Sequence, residues 1–326
     1  MKSMKILLAG GTGQVGNFIA RKFHAQGHKV VVLSRRPSDT PWQTLHWNGK
    51  DVGKWKEELD GADVVANLAG RSVNCRYNNK SRREILESRV NSTKAIGEAI
   101  AGSQSPPKLW INAGTATIYP HSHDSANDEN SSLDPGNSGP SSWKFSTDVA
   151  LAWEKAMEQW DLPHTRKVKA RLAMVMGAGK GGVFDVFTSL AKKGLGGTLG
   201  NGRQFVSWIH ELDCFRAMEW LIGCEELEGS VNICSPNPLP NKDFMSALRN
   251  ASGVKFGLPA TNWMLEIGAF FIKTETELLL KSRRVVPGRL QESGFEFKYP
   301  NWKDAATEIH SRLAKGGSQQ STARNH

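Results

Sequence analysis

Short, uninterrupted apolar runs punctuate the first half of the chain, and stretches with helical spacing separate them. Ile6-Leu7-Leu8-Ala9 is the first run. Val30-Val31-Val32-Leu33, Asp63-Val64-Val65-Ala66-Asn67-Leu68 and Leu109-Trp110-Ile111-Asn112 follow at regular intervals. Runs this short and apolar on both sides suit strands buried on both faces, as in a parallel sheet. A shorter strand is expected at 43–47, and another at 168–176. The spacing predicts helices near 18–23, 51–59, 81–101 and 143–160. Pro106-Pro107 closes the third of these before the next strand begins. The alternation predicts an α/β protein, a Rossmann doubly wound parallel sheet with helices on both faces and right-handed crossovers.

The pattern changes after Gly177. Glycine-rich turns separate short elements, and helical spacing recurs at 212–222, 241–251, 262–272 and 302–313. The expected organisation is a cofactor-binding Rossmann domain over 1–176, with return segments near 204–235. A smaller, mostly helical substrate-side domain covers 177–314, and 315–326 reads as a disordered tail. The stretch 121–142 is rich in Ser, Asn, Asp, Gly and Pro and has the length of a lid or a site wall.

The first strand runs into Gly10-Gly11-Thr12-Gly13-Gln14-Val15-Gly16, and a helix follows. Strand, glycine turn and helix form the setting that a dinucleotide diphosphate requires. One glycine permits the tight turn, a second lets backbone approach phosphate oxygens, and a third lets helix pack on strand. Free N–H groups at the helix start then face the anion. The second strand ends in Ser34-Arg35-Arg36. An acid at this point would accept from the ribose hydroxyls of NAD. A small hydroxyl followed by two guanidinium groups suits a 2′-phosphate instead, so NADP(H) is expected over NAD(H).

Composition narrows the class. The 326 residues are 39% hydrophobic and 23% charged, which is ordinary for a water-exposed globular chain. No run reaches the roughly 20 apolar residues of a membrane span. Met1-Lys2-Ser3-Met4-Lys5 leads directly into the first strand and leaves no room for a secretory signal. The four cysteines are scattered with no CxxC, which fits reduced thiols in a cytoplasmic protein without a metal site. The net charge of +10 raises nucleic acid as a partner. The basic residues are spread among acids, however, and no RNA-binding motif accompanies them. The expected partner is a small-molecule substrate, with no nucleic acid and no membrane, and the chain acts as a monomer or homodimer.

Several later segments join the glycine turn: Asn67-Leu68-Ala69-Gly70, Ser88-Arg89-Val90-Asn91-Ser92-Thr93, Gly200-Asn201-Gly202-Arg203-Gln204, Trp208-Ile209-His210 and Pro287-Gly288-Arg289-Leu290. Together they resemble the extended short-chain dehydrogenase/reductases. More narrowly, they resemble NAD-dependent epimerase/dehydratase-type proteins that carry a C-terminal domain of the DUF1731 type. The resemblance runs from Met4 to about Leu313. It implies that Gly10, Thr12, Gly13, Gln14 and Val15 hold the diphosphate, and that Ser34, Arg35 and Arg36 hold the adenosine end. It also implies that Leu68, Ala69 and Gly70 line the cofactor, with Trp47 or Asn48 near adenine.

The resemblance further implies a hydroxyl residue followed by a Tyr–Lys dyad with four-residue spacing, in which Lys lowers the Tyr pKa. Thr115 matches the hydroxyl. In the next helix, Phe145 or Ser146 takes the Tyr place, and Val149 or Ala150 takes the Lys place. Tyr119 is then the candidate acid/base or pocket wall, making Thr115 and Tyr119 the catalytic candidates. Arg203 could grip an anionic substrate or form a salt bridge. His210 could face the substrate or make a hydrogen bond at a helix start, and Arg171 is a weaker candidate. Two functions follow from this. One is an NADP(H)-dependent oxidoreductase or epimerase-like enzyme with an unusual acid/base arrangement. The other is an NADPH-binding sensor with little or no catalysis.

Overall fold

The computed structural model describes residues 2–36, 39–261 and 275–322, with side chains through 315. The chain order begins β1 (Lys5–Ala9), α1 (Gln14–Ala25), β2 (Lys29–Ser34), β3 (Gln43–His46), α2 (Lys56–Leu59) and β4 (Val64–Asn67). It continues α3 (Asn79–Ala101), β5 (Leu109–Thr115), α4 (Lys144–Glu158), β6 (Arg166–Leu172), β7 (Met174–Met176) and α5 (Val183–Leu190). Then come β8 (Phe205–Val206), β9 (Trp208–His210), α6 (Glu211–Gly223), β10 (Gly229–Ile233), β11 (Leu239–Pro240) and α7 (Asn241–Ala251). Short helices at Glu277–Leu280 and Gly288–Glu292 precede a closing helix, Trp302–Thr322.

Seven strands form one sheet in the order β10-β6-β5-β4-β1-β2-β3. Every pairing in it is parallel. The alternation of a strand divides its side chains between two cores. Ile6 and Leu8 of β1 pack with Ile19, Phe23 and Phe215 beneath α1 and α6. Leu7 and Ala9 pack with Ile96, Ile100, Trp110 and Met157 beneath α3 and α4. Burial of each large apolar side chain stabilises by about 1.5–3 kcal/mol, so the strand that carries the glycine turn is firmly seated. The strand order reverses between β1 and β4, which opens a crevice over their C-terminal ends.

A separate apolar cluster, including Phe184, Trp208, Phe244, Leu248, Trp302 and Ile309, holds the second unit. Phe244 and Trp302 stack at 4.2 Å between ring centroids.

The structure redraws three expected elements. The helix expected over 51–59 is reduced to Lys56–Leu59. The Asn48 carboxamide accepts from the N–H groups of Lys50 and Asp51, and Gly49 has φ +84°, so a turn replaces the first helical residues. The strand expected over 168–176 divides at Ala173, whose N–H donates to Ile233 in β10. Beyond it, β7 leaves the large sheet and pairs with β9. The closing helix continues to Thr322, into the segment expected to be disordered. The helix expected over 262–272 lies outside the described residues. Among the described residues no helix is long and apolar enough to cross a membrane.

Candidate functional site

The glycine turn lies at the crevice. Gly10 has φ +78°, and a Cβ there would sit 2.8 Å from the backbone of Leu68 and Ala69. A Cβ on Gly16 would lie 2.5 Å from the Gly10 carbonyl oxygen. The two glycines therefore let β1, the end of β4 and α1 meet at backbone contact. Gly13 is the N-cap of α1 and supplies no side chain to it, and the first turn of the helix contains no acid. The N–H groups of Gln14 and Val15 have no acceptor within the helix. An anionic ligand satisfies both the free donors and the positive helix end. Gln14 extends beneath the loop after β7, where its Nε2 lies 3.5 Å from the Gly179 carbonyl oxygen.

The adenosine end is equally well formed. Thr12 Oγ1 and Ser34 Oγ are 3.0 Å apart, and Ser34 Oγ accepts from the Arg36 N–H at 3.1 Å. Ser34 is buried, whereas the Arg35 and Arg36 side chains are exposed at the end of β2. A hydroxyl anchored to the turn, with two solvent-facing forks beside it, fits a phosphorylated ribose. Trp47 does not face this site. It is buried against Trp55, and its indole donates to the Asp51 carbonyl at 2.9 Å. Asn48 spends its side chain on the 48–51 turn. A hollow of about 970 Å³ opens at the opposite edge, lined by Asp63, Lys108, His164 and Glu228. It lies at the N-terminal ends of the strands, where α/β sheets do not carry their ligand sites.

The catalytic candidates separate. Thr115 ends β5, is partly buried, and accepts from the Thr117 N–H at 3.2 Å. Its hydroxyl proton remains free to donate. Tyr119 is corrected from acid/base to structural anchor. A 3-10 turn at Ala116–Ile118 carries it inward, where it is 1% exposed. Its hydroxyl donates to Asn232 Oδ1 at 2.9 Å and accepts from Arg171 at 2.7 Å. Arg171 is also held by both oxygens of Glu154, at 2.7 and 2.8 Å. Burial is the main cause that pushes the phenol up to about 12. Tyr119→Phe is therefore expected to cost about 1–3 kcal/mol of stability in denaturant melts by orphaning Asn232 and Arg171. Cofactor affinity should be unchanged in the same variant.

His210 is likewise structural. It caps α6, with Nδ1 accepting from the Leu212 N–H at 3.0 Å, and Nε2 meets Glu308 at 2.9 Å. It is 1% exposed, and burial drives its pKa down. Arg203 is exposed on a turn between Gly202 and Gln204 and makes no ion pair among the described residues. Among the described residues no contact ties its guanidinium to the crevice.

Residues that the sequence did not nominate gather where the dyad was expected. Ser146 Oγ donates to Glu277 Oε2 at 2.6 Å. Burial, with the Glu277 charge, pushes the Tyr77 phenol up to about 12. Glu277 is 3% exposed, and its Oε1 has no hydrogen-bond partner among the described residues. Burial raises its pKa above the ordinary carboxylate value. Arg283 lies 3.8 Å away and donates through Nε to Thr117 Oγ1 at 3.1 Å. Lys281 is buried against Asp134 at 3.3 Å and the Thr117 carbonyl at 3.0 Å. A C-terminal segment therefore places an acid and two cations beside Thr117 and Ser146. Its only sequence signal was the run of charges bracketing Leu278-Leu279-Leu280, and nothing in the spacing tied it to α4.

Comparison with known proteins agrees with this geometry. Residues 6–234 match the NAD dependent epimerase/dehydratase family, and residues 260–309 match a domain of unknown function, DUF1731. The chain is 29% identical to epimerase family protein YfhF of Bacillus subtilis, over 94% of this chain and 98% of that protein. It is 28% identical to human epimerase family protein SDR39U1, over 94% of this chain and 99% of that one. The crystal structure of human SDR39U1 (isoform 2) with NADPH superposes with a TM-score of 0.84 at 27% identity. That match covers 95% of this chain and all of the other. With its glycine turn, reversing sheet and family match over most of its length, the chain belongs to the NAD dependent epimerase/dehydratase family.

Proposed function

We propose that this protein binds NADP(H) and acts as an oxidoreductase or epimerase on a small polar substrate, using an acid/base arrangement other than Tyr–Lys. The observation that carries the cofactor assignment is the uncapped start of α1 paired with Arg35 and Arg36 at the end of β2. NADPH in the human relative's crystal structure supports the same choice. Gln14 and Val15 hold the diphosphate through backbone N–H groups, Thr12 and Ser34 position the ribose, and Arg35 and Arg36 take its 2′-phosphate. Leu68, Ala69 and Gly70 form the crevice wall. The bound nicotinamide supplies or accepts a hydride.

Proton handling falls to the group that includes Thr115, Tyr77, Ser146 and Glu277. Glu277 is buried and holds its proton more readily than an exposed carboxyl. Ser146 donates to this carboxyl group, whose charge also acts on the Tyr77 phenol. The test uses wild type and Glu277→Gln with NADPH and a panel of carbonyl compounds and nucleotide sugars. Positioned proton transfer contributes about 100-fold or more to rate. The variant is expected to lose turnover by that order and to keep its NADPH affinity. Equal turnover in both proteins removes Glu277 from the chemistry.

A specific observation favours the sensor as the second reading. α4 offers Ser146, Val149 and Ala150 where a dyad would stand, and its Lys144 is exposed and paired with Asp148. Tight NADPH binding without turnover on any panel member would select the sensor.

A further inference from the structure

A buried backbone donor of the C-terminal segment depends on a histidine. Ser282 is fully buried, and its N–H donates to His121 Nδ1 at 2.7 Å. This N–H has no other acceptor among the described residues. A buried N–H left without an acceptor is costly, so the ring nitrogen fixes where this stretch of backbone lies. Accepting at Nδ1 leaves the proton of the neutral ring on Nε2. The bond exists only while Nδ1 carries no proton, because an imidazolium has two donors and no acceptor.

The segment seated in this way carries the charged groups beside Ser146. Lys281 and Arg283 flank Ser282, and Glu277 opens the short helix before them. Lys281 Nζ donates to the Thr117 carbonyl at 3.0 Å, and Arg283 Nε donates to Thr117 Oγ1 at 3.1 Å. Ser282 Oγ accepts from the Phe205 N–H at 2.8 Å and donates to the Ser122 carbonyl. His121 is itself held in the loop after β5. Its N–H donates to Ser138 Oγ at 3.0 Å, and Ser138 Oγ donates to Asp134 at 2.6 Å.

The surroundings keep the ring neutral. The His123 ring lies 4.8 Å away, edge-on, and the uncharged Trp143 ring lies 5.3 Å away just before α4. Burial is the main cause that holds the His121 pKa below its ordinary 6.5. His123, Lys281 and Arg283 push the same way, and Asp134 opposes them. Arg284 donates to the His123 carbonyl at 3.1 Å, and the Arg203 carbonyl lies 3.3 Å from His123 Nδ1. A proton on His121 would therefore remove the acceptor of Ser282 and add a cation near Lys281 and Arg283.

We propose that His121 is a positioning residue, which seats the Glu277-bearing segment on the loop after β5 and releases it on taking up a proton. The folded value lies below the unfolded one, so the seat is intact above 6.5 and is lost as pH falls through the folded value. Seating stands independently of the reaction. Its consequence for turnover rests on the proton-handling role given to Glu277 above.

The test is hydrogen exchange at the Ser282 amide, read by NMR on full chains as a protection factor from about pH 7.5 to about pH 4.5, a range that spans ordinary histidine titration. Wild type, His121→Asn and His121→Phe are compared. Wild type is expected to lose protection by about tenfold as the ring protonates, the equivalent of one ordinary hydrogen bond. Both variants should lack this step. Asparagine keeps the amide protected throughout, because its Oδ1 stands where Nδ1 stood and takes up no proton. Phenylalanine leaves the amide unprotected throughout, having no acceptor. If the phenylalanine variant does not fold, the asparagine variant decides. A step of wild-type size in either variant, or no step in wild type, would overturn the proposal. Equal turnover in wild type and Glu277→Gln would remove the proton-handling reading and leave the Ser282 result standing, so the two failures are distinct.

Discussion

Gly13→Asp is expected to leave the protein folded and to abolish its dinucleotide binding. Gly13 has φ −69° and ψ 164°, an extended conformation open to any residue. Its nearest neighbour to a new Cβ is the Gly10 carbonyl oxygen at 3.4 Å, which is ordinary contact. Aspartate at an N-cap accepts from the first free N–H groups and stabilises the helix by a few tenths of a kcal/mol relative to glycine. The same carboxylate then competes for the donors that a diphosphate needs and adds a negative charge beside it. Like charges about 4 Å apart at a protein surface repel by roughly 4 kcal/mol. Loss of affinity should therefore exceed about 100-fold, with a melting temperature equal to or above that of wild type. Fluorescence titration with NADPH and a thermal melt check both halves. An affinity within a few-fold of wild type would mean that the diphosphate does not sit at this helix start.

The double change Arg35→Ser, Arg36→Ser is expected to convert NADP preference into indifference. Both side chains are exposed, and no ion pair among the described residues holds either one. Their removal should shift stability by no more than about 0.5 kcal/mol. Charge-assisted hydrogen bonds contribute about 1.5–3 kcal/mol each. NADPH affinity should fall roughly 10- to 100-fold per side chain, with NADH affinity unchanged within about threefold. The NADPH effect should also shrink as salt rises, since exposed charges are screened over about 8 Å at physiological ionic strength. Equal losses for NADH and NADPH would show that the two arginines act on the fold and not on the 2′-phosphate.

These two changes act on the part of the site that was legible from sequence, for a physical reason. A diphosphate is held by backbone, and the backbone geometry demands glycine at Gly10 and Gly16. The preceding strand is a continuous apolar run because both its faces are buried. Ser34, Arg35 and Arg36 stand out because they occupy a strand end that faces the turn. Local pattern and local chemistry coincide at each of these positions.

The catalytic side was not legible in the same way. Tyr119 lies four residues beyond Thr115, which places it near the crevice in sequence. The 3-10 turn between them rotates it into the Arg171–Asn232 network. His210 has the chemistry of an active-site group, but its neighbours Leu212 and Glu308 consume both ring nitrogens. Conversely, Ser146 and Glu277 are 131 positions apart, and only the folded chain brings them to 2.6 Å. Asp134 and Lys281 are separated by 147 positions and are joined in the same way. No periodicity or motif reports such a pairing.

The Asp134–Lys281 pair also carries a pH signature. The Asp134 carboxyl lies below its ordinary value. Burial opposes this, but hydrogen bonds from Ser138 and Gly136 and the Lys281 charge outweigh it. A depressed folded-state value stabilises the protein above the unfolded value near 3.8 and is lost as pH falls through the folded one. Asp134→Asn should flatten the acid limb of a stability–pH curve. An unchanged limb would show that Asp134 contributes nothing there.

Calorimetric titration of the wild-type chain with NADPH and NADH, under identical salt, tests the central claim most directly. NADPH binding at least tenfold tighter than NADH is the result this account predicts. Equal or tighter binding of NADH, or no heat with either dinucleotide, would contradict it.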